Sequence, residues 1–378
     1  MEDNRYHLIL EITNHSNTFV GDPFFVTGNF NNWIPDTLSP GTIPRVGEKK
    51  QFVLRDLKEG LLELKISRGS WTTLTSTVNG KLEAPYTVEV GQNSTLEIQI
   101  NGWRDTFPAS TASPQVHVLD EAFYFPEMDA VKTIWIYLPK AYQTSAKRYP
   151  VIYMHDGQHL FDEATSAGRT GPVEWEVDET VDGSSHEAIV VAIASAADPQ
   201  TRKSEYLLNP TDLISYPQGR AYLADIVSTL KPFIDKDYRT LSDFRNTAMV
   251  GSSLGGLVTI YAGLLYPDTF GCLGVFSPSI WMDDSELLFE TVENVLQNQK
   301  TGLQKQNYYL YGGQLEKRSG PNSVTVNMIE NIRYFASLFH DNNRFRIEID
   351  INPLGKHGAL YWQKVFSKFY EWWHKMLL

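Results

Sequence analysis

Apolar positions follow one pattern before about residue 105 and another after it. In the first stretch they alternate with polar ones in short runs: His7 to Ile12, Phe24 to Thr27, Gln51 to Leu54, Leu61 to Ile66, Tyr86 to Val90 and Thr95 to Ile100. Period two marks strands with one buried face, and turn residues such as Gly-Asp-Pro and Val-Gly-Gln-Asn-Ser separate the runs. Short strands at this spacing predict a small all-β, immunoglobulin-like sandwich over residues 1–105. Residues 106–114, small, polar and rich in Pro, Ser and Thr, read as a linker.

From residue 115 to 378 continuous apolar runs alternate with longer helical periods. Strands are predicted at Ile134 to Leu138, Val151 to Met154, Ala188 to Ala194, Thr247 to Val250, Cys272 to Phe276, Tyr308 to Tyr311 and Arg346 to Ile351. Helices are predicted at Ala221 to Ile234, Leu254 to Tyr266, Val324 to Asn342 and Ala359 to Met376. Strands without alternation are buried on both faces, and their alternation with helices predicts an α/β domain around a mainly parallel sheet.

Charge narrows the partners. Lys plus Arg number 33 against 45 Asp plus Glu, a net charge of −12, which argues against nucleic acid and against an anionic membrane surface. The single cysteine, Cys272, has no partner for an intramolecular disulfide, and no Cys/His pairs stand at metal-ligand spacing, so neither a metal nor a cofactor is expected. No 18-residue apolar stretch occurs, and the start MEDNRYHLIL lacks the apolar segment of a leader. As written the chain is expected in the cytoplasm, with a periplasmic or secreted location following if a leader has been removed.

The sharpest local signal is Gly251-Ser252-Ser253-Leu254-Gly255, which follows an apolar strand and opens a helix. That context defines a nucleophile elbow, in which small residues let the strand reverse and lift the central serine, Ser253, above the sheet. The backbone N–H of Leu254 then lies at a helix N-terminus, suited to an oxyanion. A serine needs a base, and of His340, His357 and His374 downstream, His357 sits in a loop between the last strand and the last helix. The other two fall within helices. A carboxylate should orient the imidazole. Glu316, after the strand Tyr308 to Tyr311, is the first choice, with Asp283 and Asp284 as competing positions and Asp350 set back within a strand. A second oxyanion donor is expected from Gly157 or Gln158 in His155-Asp156-Gly157-Gln158-His159, where glycine lets the backbone approach a ligand.

Taken together, Tyr153 to Phe161, Arg202 with Glu205-Tyr206, Tyr238-Arg239-Thr240, Gly251 to Leu257, Ser277-Pro278-Ser279-Ile280-Trp281 and His357 with Trp362 and Phe366 resemble an esterase branch of the α/β-hydrolases. That branch includes enterochelin esterases, feruloyl and acetyl-xylan esterases, S-formylglutathione hydrolases and mycolyltransferases. The resemblance implies an α/β-hydrolase fold, Ser253 as nucleophile, His357 as base and an acid that is Asp or Glu, with Trp281, His159 and Arg202 at the substrate pocket. His155 departs from the family, which most often has an aliphatic or aromatic residue there. In the first stretch, Phe25 to Trp33 and Glu63 to Trp71 resemble starch- and glycogen-binding modules, which makes Trp33 and Trp71 candidates for stacking on sugar.

These readings converge on a serine carboxylic ester hydrolase acting on a small-molecule or polysaccharide-linked ester, carbohydrate-linked or small and aromatic. The alternatives are a siderophore trilactone esterase of the enterochelin type and a carbohydrate-binding protein with a degenerate hydrolase domain.

Overall fold

The computed structural model describes residues 5–168, 171–283, 285–297, 305–319, 325–339 and 342–377. By contact density the chain divides into two units: Met1–Thr111 with Glu163–Val173, and Ala112–Asp162 with Glu174–Leu378.

The first unit is all-β. One sheet orders the strands Lys49–Leu57, Tyr6–Asn14 and Ser94–Ile100, and another orders Gly41–Thr42, Pro23–Gly28, Gly60–Ser67 and Tyr86–Val90. Alternation does what the sequence implies: Leu8, Leu10 and Ile12 point inward and pack with Val26, Leu64, Ile66, Ile98 and Trp103 in one core. Segment 163–173 joins this unit through a buried ion pair, in which Arg104 Nε donates to Glu163 Oε2 at 2.7 Å. Arg104 also donates to the carbonyls of Pro108 and Ala109, and Glu163 accepts from the Leu82 N–H.

The second unit is built on an eight-stranded sheet in the order Val116–Phe125, Ala130–Tyr137, Ile189–Ile193, Val151–His155, Thr247–Ser252, Cys272–Phe276, Gln306–Gly313 and Phe345–Asn352. Ala130–Tyr137 pairs antiparallel with both of its neighbours, Val116–Phe125 and Ile189–Ile193, and the remaining pairings are all parallel. Every residue of the four strands Ile189–Ile193, Val151–His155, Thr247–Ser252 and Cys272–Phe276 is buried, because apolar clusters cover both faces. Each strand read from the sequence is present. Val116–Phe125 was not foreseen: at the sheet edge it is mostly exposed, and Asp120 and Glu121 interrupt its apolar residues.

The helix foreseen at Ala221 to Ile234 spans Gly219–Asp237 and carries a π turn at Ile226–Leu230. The helix foreseen over Val324 to Asn342 is shorter, Met328–Ser337, with Asn327 capping the N–H groups of Ile329 and Glu330. Helices Val177–Gly183, Pro199–Tyr206 and Ser285–Gln297 add to those foreseen. Among the described residues no helix is long and apolar enough to cross a membrane.

Candidate active site

Strand Thr247–Ser252 and helix Leu254–Leu265 are joined through Ser253 alone. A reversal that short forces Ser253 to φ 56 and ψ −120, a strained backbone that costs about 1–3 kcal/mol. Its neighbours hold it there: the Ser253 N–H donates to Phe276 O at 2.9 Å, and the Ser279 N–H donates to Ser253 O at 2.9 Å. Gly251 has no alternative, since a Cβ there would lie 2.4 Å from the Gly255 carbonyl oxygen.

The side chains named from the sequence meet at this turn. His357 Nε2 lies 3.1 Å from Ser253 Oγ, and His357 Nδ1 lies 2.7 Å from Glu316 Oε2. The other carboxylate oxygen, Oε1, accepts from Ser277 Oγ and from the Gly313 N–H, both at 2.7 Å, and the Glu316 side chain is fully buried. The loops that bring acid and histidine together are joined by main-chain bonds from Leu315 N–H to Gly355 O and from Gln314 N–H to Asn352 O. Trp362 donates from Nε1 to Ser277 Oγ at 3.1 Å and packs edge-on to the His357 ring. Ser279 Oγ lies 3.1 Å from Ser253 Oγ.

Asp283 stands elsewhere. Its carboxylate accepts from the N–H groups of Leu208 and Asn209 and from Asn209 Nδ2, so it holds a loop. Asp350 accepts from Tyr309 Oη and Lys368 Nζ. Asp284 and His340 lie outside the described residues. His374 is buried in the last helix, stacked on His186.

Gly157–His159 forms a short 3-10 turn after strand Val151–His155, entered through Asp156 at φ 57. The reason for glycine differs from the expected one. A Cβ on Gly157 would meet the Ala192 and Ile193 backbone and the Trp135 ring at 2.9 Å, so glycine is required by packing on the neighbouring strand. Gln158 is pinned by its side chain to Ser195 Oγ and N–H. The Leu254 N–H, first in its helix, has no acceptor within that helix.

Arg202, expected at the substrate pocket, is engaged by Asp156: its Nε and Nη2 donate to Asp156 Oδ1 and Oδ2 at 2.6 and 2.8 Å, while about a quarter of its side chain stays exposed. Burial alone would push the Asp156 carboxyl up, but the guanidinium outweighs it and holds that carboxyl well below its ordinary range. The fixed ion pair anchors the Gly157 turn from behind, together with Tyr206 Oη, which accepts from the Asp156 N–H. His155, the family departure, is buried in the same layer, with Nδ1 2.8 Å from Tyr222 Oη; burial lowers its pKa to about 4, keeping it neutral. His159 is half-buried and likewise made less basic by burial. Trp281 follows Ser279 in a 3-10 turn and is half-buried against the core.

Three carboxylates, Glu174, Asp178 and Glu179, have oxygens within 4.8 Å of one another and are the described residues best grouped to hold a cation. Burial, followed for Glu179 by the Asp178 charge, raises both Asp178 and Glu179.

In the first unit Trp33 is only 8% exposed and leans on Trp71 with ring centroids 6.5 Å apart. A ring that buried has no open face for a sugar, so Trp33 packs the first unit's core and does not stack on sugar as expected from the sequence. Trp71 remains half-buried.

Sequence reasoning assigns no role to Ser277, Ser279 or Trp362; the signal that points to them is their place directly after strand Cys272–Phe276 and beside His357.

Comparison with known proteins fits this geometry. Residues 126–370 match the family described as "Putative esterase". YbbA of Bacillus subtilis, an uncharacterized protein, is 28% identical over 156 residues, covering 40% of this chain and 58% of its own. The siderophore triacetylfusarinine C esterase of Aspergillus fumigatus is 30% identical over 157 residues, covering 39% and 50%. The chain thus spans about half the length of the curated relatives it matches. The enterobactin esterase FES from Shigella flexneri shares the fold, with TM-score 0.53, 17% identity, and 96% of this chain and 90% of that one covered. With nearly two thirds of its length matched, the chain belongs to the "Putative esterase" family and has the α/β-hydrolase fold.

Proposed function

We propose that this chain is a serine carboxylic ester hydrolase. The observation that carries the reading is the unbroken line Glu316 Oε2, His357 Nδ1, His357 Nε2, Ser253 Oγ, with steps of 2.7 Å between acid and histidine and 3.1 Å between histidine and serine. With Nδ1–H donating to Glu316, Nε2 is left as the acceptor for the serine proton. Ser253 Oγ attacks the ester carbonyl, and the imidazolium formed is stabilised by the buried carboxylate. The N–H of Leu254, with that of Gly157 or Gln158, holds the oxyanion. His357 then protonates the leaving alcohol, and water activated by the same imidazole releases the acid from the acyl-enzyme. The helix start at Leu254 and the Asp156–Arg202 pair behind the Gly157 turn support these donors as fixed before substrate arrives.

For the substrate we propose an ester within a small siderophore-type molecule. The activity named for the Aspergillus relative supports it, and the burial of Trp33 weakens the polysaccharide-linked alternative. With net charge −12 and Arg202 engaged by Asp156, a neutral form of the substrate is favoured at encounter.

The test is intact-mass labelling by a fluorophosphonate on wild type and Ser253→Ala, followed by turnover of catecholate trilactone, feruloyl and acetyl esters. One adduct on wild type and none on the variant is expected, with loss of turnover on the order of 10³ or more. No adduct on folded wild type overturns the hydrolase reading. Turnover of feruloyl or acetyl esters but not of the trilactone overturns the substrate reading alone.

A further inference from the structure

Behind the acid, Ser277 and Trp362 are joined to it by hydrogen bonds that can each run in only one direction. An indole N–H only donates, so at their 3.1 Å contact Trp362 Nε1 gives its proton to Ser277 Oγ. An ionised carboxylate only accepts, so Ser277 gives its single hydroxyl proton to Glu316 Oε1 at 2.7 Å. Oε1 also takes the Gly313 N–H, and Oε2 is turned to His357 Nδ1, both at 2.7 Å. The polarity thus runs from indole through hydroxyl to carboxylate and meets the imidazole as an acceptor. An imidazole facing that acceptor carries its proton on Nδ1 and offers Nε2 to Ser253 Oγ, 3.1 Å away.

The backbone singles out Ser277. It directly follows strand Cys272–Phe276 at φ 46, in the left-handed region that favours glycine. Glycine would take this conformation without strain, so what serine supplies there is its hydroxyl. The residue is fully buried, which keeps bulk water from competing for that hydroxyl. Its N–H donates to Tyr311 O at 2.7 Å, tying it to the strand that leads into the Glu316 loop.

Trp362 is held as firmly. It lies in the first turn of helix Ala359–Leu377 and packs on Trp175 with ring centroids 5.8 Å apart, while Trp175 stacks on Phe276 at 5.7 Å. Its ring also meets the His357 ring edge-on at 4.9 Å. One indole therefore touches the base directly and reaches the acid through a hydroxyl.

We infer that Ser277 and Trp362 are positioning residues for ester cleavage: they aim the Glu316 carboxylate and, through it, fix the His357 tautomer that can accept the serine proton. This rests on the hydrolase reading above. Both act on the nucleophile only through Glu316 and His357, so their loss falls on kcat and leaves KM nearly unchanged.

The test is steady-state hydrolysis of p-nitrophenyl acetate by the full chain, with fluorophosphonate labelling in parallel and thermal unfolding to confirm that each variant folds. Ser277→Ala should lower kcat about tenfold to a hundredfold, as expected for losing a hydrogen bond to a charged group, with KM within about twofold of wild type. Ser277→Gly should lose as much although it relieves the backbone, and it decides the question should the alanine variant fail to fold. Trp362→Phe keeps an aromatic ring beside His357 and removes the N–H, so kcat should fall several-fold. Combined with Ser277→Ala it should add less than about twofold, because the indole donor has already lost its acceptor. A wild type that neither hydrolyses the ester nor takes the fluorophosphonate overturns the hydrolase reading and this inference with it. An active wild type beside a Ser277→Gly of unchanged kcat, or a double variant whose two losses multiply, overturns the inference alone.

Discussion

Replacing Glu316 by glutamine tests the proposed catalytic line most sharply, because the hydrogen-bond pattern around it decides which way the new amide must turn. Glu316 Oε1 accepts from two donors, Ser277 Oγ and the Gly313 N–H, each at 2.7 Å. The serine hydroxyl can rotate, but a backbone N–H cannot become an acceptor. Glutamine therefore keeps its oxygen at the Oε1 position and presents NH₂ to His357 Nδ1. The imidazole must then carry its proton on Nε2, facing Ser253, where it cannot accept the serine proton. Turning the amide over restores the tautomer but sets NH₂ against the buried Gly313 N–H, costing about 1–3 kcal/mol. That leaves roughly one molecule in ten to one in a hundred competent, and these lack the negative charge that stabilises the imidazolium. The corresponding Asp→Asn change in a serine protease triad lowers kcat about 10⁴-fold. We expect a loss of about 10³–10⁴ in kcat, or about 4–5.5 kcal/mol in barrier, with thermal stability nearly unchanged. The assay is steady-state hydrolysis of p-nitrophenyl acetate beside Asp350→Asn, whose carboxylate serves Tyr309 and Lys368 and whose loss should change kcat by less than threefold or so. A Glu316→Gln enzyme within tenfold of wild type would refute the reasoning.

Other perturbations reach different layers. His155 is buried and neutral, its pKa lowered by burial to about 4 from an ordinary 6.5, so at pH 4–6.5 the unfolded chain binds the extra proton. Stability from this group is present above pH 6.5 and lost as pH falls toward 4, by up to about 3 kcal/mol; urea unfolding of His155→Phe should show a shallower decline than wild type, and equal slopes would count against it. Arg104→Ala leaves Glu163 buried without its cation and should cost about 3–5 kcal/mol, read as an earlier chemical unfolding transition of the first unit. Trp33→Ala, at a site 8% exposed, should lower stability by about 3–5 kcal/mol while polysaccharide pull-down stays as for wild type; a stable variant that loses polysaccharide binding would restore the sugar-stacking role.

Legibility in the sequence tracked how local the cause was. Strands buried on both faces are continuous apolar runs, so Val151–His155 and Cys272–Phe276 could be read directly, whereas edge strand Val116–Phe125 is interrupted by Asp120 and Glu121 and helix Pro199–Tyr206 is polar. Ser253 was legible for the same reason: the glycines that permit its turn lie two residues to either side, and the strand and helix it joins are adjacent in the chain.

The support behind the ester site was not legible, because its partners are far apart in sequence. Asp156 and Arg202 are 46 residues apart, His155 and Tyr222 are 67 apart, and Ser277 and Glu316 are 39 apart. Composition offers many carboxylates and cations, and only tertiary packing chooses among them. Arg202 shows the consequence. Read from the chain it is a cation near a pocket, available to a substrate. Set against Asp156 it becomes a fixed group that holds the turn carrying Gly157 and Gln158, and its charge is neutralised before any ligand arrives. In this fold the chemistry that local sequence displays lies at the strand-to-helix turns, while the charged groups that hold those turns come together only through the order of the sheet.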